Sequence, residues 1–117
     1  MTERRRNKTI IESRWRKRRR NSLDIIAGIL HVLEGGGQSK TAIMHKANLN
    51  FKRVNIYINF LLSRNLILVG ESFSSKKYFI TKKGLEFLKD YRSLKEGEEK
   101  LIEALRKLQS NLSLGEA

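Results

Sequence analysis

The fold is decided by residues 39–64, SKTAIMHKANLNFKRVNIYINFLLSR, where two amphipathic helix patterns meet at a short polar break. The Ser39 hydroxyl can cap the first helix, and the apolar side of that helix is formed by Ala42, Ile43, Met44 and Ala47. At the break, Asn48 suits the left-handed backbone of a tight turn, and Asn50 suits the cap of the next helix. The second helix has one wide apolar stripe, formed by Val54, Tyr57, Ile58, Leu61 and Leu62.

The side of the second helix that faces away from this stripe is largely polar and basic. It is formed by Lys52, Arg53, Asn55, Ile56 and Asn59. Two helices joined in this way predict a helix-turn-helix, whose second helix enters the DNA major groove. The same pattern also occurs in small helical domains without DNA, so the charge distribution decides between the two interpretations.

The positive charge of the chain lies in two regions. The formal net charge is +13 over 117 residues. Residues 1–22 hold ten basic and two acidic side chains, and residues 39–83 hold nine basic side chains against Glu71 alone. Residues 84–117, with six basic and seven acidic side chains, are nearly balanced. Such a distribution is typical of proteins that bind nucleic acid.

The composition of the chain excludes several other classes of protein. No apolar run is long enough to span a membrane, and no apolar segment follows the basic N-terminus as in a signal peptide. The chain has no cysteine, which excludes disulfides and thiolate zinc sites and favours a cytoplasmic, nucleoid-associated location. His31 and His45 lack partners at ligand or catalytic spacing. We therefore expect no metal, no cofactor, no small-molecule ligand and no enzymatic activity.

Residues 1–21 have few apolar side chains and predict a flexible basic arm. The densest basic run is Arg16, Lys17, Arg18, Arg19 and Arg20. The arm is expected to neutralise phosphates or to enter a minor groove. A solubilising tail and a nuclear-import signal are the alternatives.

Two further elements complete the predicted domain. Ser22 can cap a preceding helix that ends at a linker, residues 35–37; its buried stripe is Leu23, Ile26, Ile29, Leu30 and Leu33. Strands at residues 66–69 and 78–80, joined by a polar loop at 70–77, predict a hairpin wing. We expect DNA contacts from the first helix of the motif, the cap of the second and the wing, through Ser39, Lys40, Thr41, Lys46, Asn50, Lys76 and Lys77. An ordinary solvated hairpin is the alternative for the wing.

A long last helix, capped by Thr81, carries an apolar heptad seam. The seam consists of Phe87, Tyr91, Leu94, Leu101, Leu105, Leu108 and Leu112, and Glu98 alone interrupts it. Leu85 and Leu88 lie off the seam and are expected to pack onto the winged domain. The seam is roughly 39 Å long at about 1.5 Å per residue, too long for so small a domain to cover. A homodimer is predicted, and a helix folded back on its own domain is the alternative.

The order of these segments resembles the small archaeal winged-helix DNA-binding proteins, which include ten-kilodalton chromatin-associated proteins and regulator-like relatives. The resemblance extends from Arg18 to Leu112 and is most specific at residues 40–44, 47–49 and 80–84. It implies that the C-terminal helices pair antiparallel in a two-fold dimer with outward winged domains. Residues 1–15 depart from it, because they lengthen the short basic lead that is usual in the family.

These observations predict a mainly α fold with a small β-hairpin. The predicted parts are a basic arm (residues 1–21), a winged helix-turn-helix domain (22–86) and an antiparallel coiled-coil dimerisation helix with a tail (87–117). The predicted function is double-stranded DNA binding by a homodimer, as a transcription regulator or a chromatin-associated factor. The alternative is a coiled-coil adaptor whose arm is a solubilising or non-specific nucleic-acid tail. RNA binding is less favoured, because the sequence lacks aromatic stacking positions on a sheet.

Overall fold

The computed structural model describes residues 22–72 and 75–116. The described part forms a helix α1 at residues 22–34, then α2 (Lys40–Lys46), α3 (Phe51–Ser63), β1 (Ile67–Ser72), β2 (Ser75–Ile80) and α4 (Lys82–Glu116). This is a winged helix-turn-helix followed by a long C-terminal helix, so the predicted fold class is confirmed. The predicted division of the chain into three parts stays a prediction.

Side-chain caps and one left-handed residue shape the helix-turn-helix. The Ser39 hydroxyl accepts the Ala42 amide at 3.1 Å, and the Asn50 side-chain oxygen accepts the Arg53 amide at 2.8 Å. Between the two helices, Asn48 has φ 54°, a conformation in which asparagine is tolerated better than most residues. Both predicted caps and the predicted turn are therefore confirmed.

The core lies between the first three helices, the hairpin and the start of α4. Its buried members are Ile26, Ala27, Ile29, Leu30, Leu33, Ile43, Val54, Ile58, Leu61, Leu66, Ile67, Tyr78 and Leu88. The predicted apolar stripes of α1, α2 and α3 all supply residues to this set. Because α3 contributes three residues that are almost fully buried, its orientation in the domain is fixed by packing.

The hairpin is longer than the sequence predicted. Strands β1 and β2 pair antiparallel with Gly70 opposite Lys77 and Glu71 opposite Lys76, so most of the predicted loop at residues 70–77 is strand. Glycine and lysine are uncommon in strands, so the composition of residues 70–77 predicted a loop. The strand pairing that begins at the apolar residues nevertheless continues into this segment. Directly after the predicted linker, Gln38 exchanges backbone hydrogen bonds of 3.1 and 2.8 Å with Tyr78, a pairing that the sequence did not indicate.

The beginning of α4 belongs to the domain core. Thr81 caps the helix by accepting the Gly84 amide at 3.0 Å, as predicted. Leu88 is buried as expected, and Phe87 and Tyr91 pack against the core. The expectation for Leu85 is wrong: its side chain is 45% exposed, because it lies about 100° around the helix from Gly84, the position that faces Leu66 and Ile80. From Lys82 to Glu116 the helix continues through Gly97 without interruption.

A polar cluster joins α4 to α1. The Arg92 guanidinium donates to both carboxylate oxygens of Glu34, at 2.8 and 3.1 Å, and also lies 3.1 Å from Nδ1 of His31. The hydroxyl of Tyr91, the residue before Arg92, donates to Asp24, which lies about two turns before His31 on α1 and 3.6 Å from the Lys95 ammonium. This α1–α4 clasp comprises His31, Glu34 and Arg92 together with Asp24, Tyr91 and Lys95. It fixes the direction in which α4 leaves the domain.

Acidification provides a test of the clasp. Hydrogen bonds from Arg92, assisted by His31, lower the pKa of Glu34 from 4.5 to about 2. The contact therefore stabilises the fold fully above pH 4.5, and this stabilisation is lost as the pH falls from 4.5 towards 2. Above pH 4.5 the wild type should unfold at a higher temperature than Glu34→Gln. We expect this difference in thermal midpoint to shrink as the pH falls from 4.5 towards 2. Arg92→Ala should abolish the same pH dependence, and a difference that is constant down to about pH 2 would contradict the contact.

No helix within the described ranges combines the length and the apolar character that crossing a lipid bilayer requires.

Candidate nucleic-acid interface

The outer face of α3 presents the side chains that were predicted to read DNA. Val54, Ile58 and Leu61 hold the inner side of the helix in the core. Because of this anchoring, the remaining positions point outwards: Lys52, Arg53 and Asn59 are exposed, and Asn55 is half-buried. Neither Lys52 nor Arg53 forms an ion pair with another residue in the described part of the chain. Their charges are therefore available to an external anion.

Sequence reasoning left two apolar residues of this face out of the predicted site. Ile56 is 57% exposed, and Phe60 lies one turn further along. The Arg64 guanidinium lies 5.2 Å from the centre of the Phe60 ring, within the range of a cation–π contact. The sequence could have indicated that Ile56 belongs to this face, because the helical repeat had already placed it on the outer side. The spacing of four residues between Phe60 and Arg64 was a signal for their contact, because side chains four apart are neighbours on a helix.

Helix α2 and the two caps place further predicted residues beside α3. Thr41 and Lys46 are exposed and Lys40 is half-buried. The Lys46 ammonium donates to the Gln38 side-chain oxygen at 3.2 Å, a contact on the surface. Ser39 and Asn50 use their side-chain oxygens as helix caps, so their defined role is to shape the two helix starts. A DNA contact by either residue stays a prediction.

The two wing lysines face opposite sides of the hairpin, since neighbouring residues of a strand alternate. The Lys76 ammonium lies 3.8 Å from the Glu71 carboxylate, and both side chains are about two-thirds exposed. Such an exposed pair is worth little and leaves Lys76 available to a stronger anion. Lys77 is exposed opposite Gly70. Residues 73–74 of the predicted loop lie outside the described residues.

The predicted basic arm, residues 1–21 with Arg16, Lys17, Arg18, Arg19 and Arg20, also lies outside the described residues. The charge of the described part is carried by residues 39–83, where nine basic side chains stand against one acidic side chain. This segment contains α2, α3 and the hairpin.

The predicted dimerisation residues fall into two groups. Phe87 and Tyr91 are partly buried against the core of their own domain. Beyond them the seam is open, with exposed fractions of 37% for Leu94, 59% for Leu101, 60% for Leu108 and 68% for Leu112. Leu105 between them is half-buried. The far part of α4 thus carries an apolar stripe that no other described part of the chain covers.

Residues 19–99 match the winged helix-turn-helix family, and the chain belongs to that family. The predicted family resemblance is thereby confirmed.

A curated relative and two solved structures illustrate the likeness. The chain is 39% identical over 56 residues to an uncharacterised protein of Methanocaldococcus jannaschii, a match that covers 48% of this chain and 58% of that protein. The fold is similar to that of Sso10a-2, a DNA-binding protein from Sulfolobus solfataricus, with a TM-score of 0.69 and 21% identity over 76% of this chain and 93% of that one. It is also similar to a mutant of MepR from S. aureus bound to an oligodeoxyribonucleotide, with a TM-score of 0.59 and 18% identity over 97% of this chain and 94% of that one.

Proposed function

We propose that this chain is a homodimeric protein that binds double-stranded DNA, as a transcription regulator or a chromatin-associated factor. The observation that carries the proposal is the outer face of α3. A helix anchored by three buried residues exposes basic and amide side chains that have no ion-pair partner within the described residues. This is what insertion of a helix into a major groove requires. The DNA-binding proteins among the solved structures of similar fold support the same assignment.

Each part of the interface has a chemical role in this proposal. Arg53 matches guanine, and the amides of Asn55 and Asn59 match adenine, because each can make a bidentate contact with the base edge. Lys52 lies on the same face and supplies charge next to the groove. The remaining predicted residues contact phosphates and set the position of α3, namely Lys40, Thr41, Lys46, Lys76 and Lys77. The basic arm adds affinity that falls steeply with salt.

The open stripe of α4 supports the dimer. Four leucines at seam positions from Leu94 to Leu112 are more than a third exposed over a length of roughly 27 Å, at about 1.5 Å per residue. A patch of this kind on a soluble protein is typical of an association surface. The charged residues around it have both signs, as is usual for the flanks of a coiled coil. A second copy of the same helix would cover the stripe, and the family resemblance implies that it runs antiparallel.

Replacing Arg53 provides a prediction for the reading face. We expect Arg53→Ala to lose about 1–3 kcal/mol of binding free energy on a duplex whose guanine it reads, and less on other duplexes. The matched control is Arg106→Ala, which removes an exposed arginine from the outer side of α4. Fluorescence anisotropy on several labelled duplexes measures both variants. Equal losses on all duplexes would make Arg53 a phosphate contact, and an unchanged affinity would remove it from the interface.

The proposal as a whole is tested by anisotropy of the full-length chain on several unrelated duplexes and on the promoter of its own gene, at three salt concentrations. Similar affinity for every duplex, together with a steep loss of affinity as salt rises, indicates a chromatin-associated factor that binds through phosphates. One duplex that stays bound at high salt indicates a regulator and identifies its site. Absence of binding to every duplex would refute DNA binding and favour the coiled-coil adaptor.

A further inference from the structure

An exposed aliphatic side chain stands near the middle of the outer face of α3. Ile56 comes two residues after Val54 and two before Ile58, both of which are buried. At 3.6 residues per turn, two positions are about 200° apart, so Ile56 points away from the core. Its side chain is 57% exposed, and no shift of the helix within the domain could cover it without exposing Val54 and Ile58.

The surroundings of Ile56 indicate what could cover it. Lys52 and Arg53 lie one turn before it and Asn59 lies one turn after it, all on the same face. A second copy of this face would bring these positive charges against their own kind, which is unfavourable. A polyanion would be attracted instead, so the occupant must combine negative charge with an apolar group that an isoleucine can reach.

Duplex DNA meets both conditions. Its major groove is flanked by phosphates, and the C5-methyl group of thymine is the apolar group displayed there. Asparagine amides pair with N6 and N7 of adenine, which is the partner base of thymine. Ile56 and its neighbouring asparagines therefore suit the two bases of the same A·T pair.

We propose that Ile56 contacts thymine methyl groups and that α3 thereby favours A·T pairs in the major groove. This inference rests on the proposed function. Phe60 is less suited to the role, because the Arg64 guanidinium lies over its ring at 5.2 Å. Arg53 contributes charge and contacts guanine or phosphate, so its effect is independent of the thymine methyl group.

The test compares two A·T-rich duplexes of identical sequence, one with deoxyuridine in place of every thymidine. Deoxyuridine pairs as thymidine does and lacks only the methyl group. We expect the wild-type chain to bind the deoxyuridine duplex more weakly, by roughly fourfold for each methyl group that Ile56 buries. Ile56→Ala should bind the thymidine duplex more weakly than wild type does, and should bind the two duplexes equally. Circular dichroism of the variant checks that the fold is unchanged.

Arg53→Ala is the matched control from the same face. It should bind both duplexes more weakly and keep the wild-type ratio between them. Equal binding of the two duplexes by wild type would overturn the inference while leaving DNA binding intact. A wild-type preference that persists unchanged in Ile56→Ala would overturn the assignment to this residue. Absence of wild-type binding to both duplexes would overturn the proposed function and this inference together.

Discussion

Replacing Gly84 with alanine should destabilise the fold by about 3 kcal/mol, although alanine favours helices by about 1 kcal/mol relative to glycine. A Cβ at this position would overlap the Leu66 carbonyl oxygen and would lie 2.7 Å from Cγ1 of Ile80. The carbonyl belongs to the backbone and cannot rotate away. The cost of overpacking therefore exceeds the gain in helix propensity.

The same substitution would also strain the junction between the hairpin and α4. The Leu66 carbonyl accepts the Thr81 amide at 3.1 Å, and the Thr81 hydroxyl lies 3.0 Å from it and 2.7 Å from the Asn65 carbonyl. Displacing Leu66 lengthens these hydrogen bonds, and each is worth about 1 kcal/mol. Because Gly84 has no side chain, the first turn of α4 can pack directly against the backbone of Leu66, which follows α3.

Gly97→Ala is the matched control, because it makes the same change in the same helix. Apart from its chain neighbours and the backbone of its own helix, no atom of the described residues lies within 4 Å of a Cβ at Gly97, so we expect a gain of about 1 kcal/mol from helix propensity alone. Urea unfolding of both variants at one fixed protein concentration measures the two effects. A Gly84→Ala chain as stable as wild type would refute the close approach of α4 to Leu66.

Placing lysine at both Leu101 and Leu108 should convert the proposed dimer to monomers. Burial of a leucine side chain contributes about 1.5–3 kcal/mol, and a two-fold dimer would bury four of these leucines. The loss is at least about 6 kcal/mol, which corresponds to a dimer roughly ten-thousandfold weaker. Both side chains are exposed in the single chain, so the winged domain itself should stay folded.

Light scattering gives the molar mass of the double variant against wild type. The control is Glu103→Lys, which adds the same two units of positive charge on the side of α4 away from the seam. It should stay dimeric, because only its exposed contact with Arg106 at 4.0 Å is lost. A wild-type chain with the mass of one copy would refute the dimer. A double variant with the mass of two copies would place the interface elsewhere.

The local sequence pattern was sufficient to predict the helices and their caps. The spacing of Val54, Ile58 and Leu61 identified the inner side of α3, and the oxygens of Ser39, Asn50 and Thr81 identified three helix starts. These features depend on residues at most four positions apart. They were therefore visible in the sequence.

Features that depend on distant pairing were not visible. The hairpin continues to Ser72 and Ser75 because strand pairing extends into a segment with turn-forming composition. Gln38 joins Tyr78 across 40 positions of sequence, and Arg92 joins Glu34 across 58. In the candidate site the basic and amide residues followed from helix phase. The helical repeat also placed Ile56 on the outer side, and the structure shows that its side chain is 57% exposed there.

The α1–α4 clasp has a consequence for how two copies would meet DNA. Because Arg92 and Tyr91 fix α4 to the domain, α4 keeps a fixed orientation relative to the domain and acts as a rigid spacer. In a dimer joined by this helix, the distance and rotation between the two α3 helices would be set by the number of residues from the clasp to the crossing point. Each residue inserted there would turn each domain by about 100° and move it by about 1.5 Å relative to the crossing point. The length of α4 would then act as a ruler for the spacing of two half-sites along the duplex.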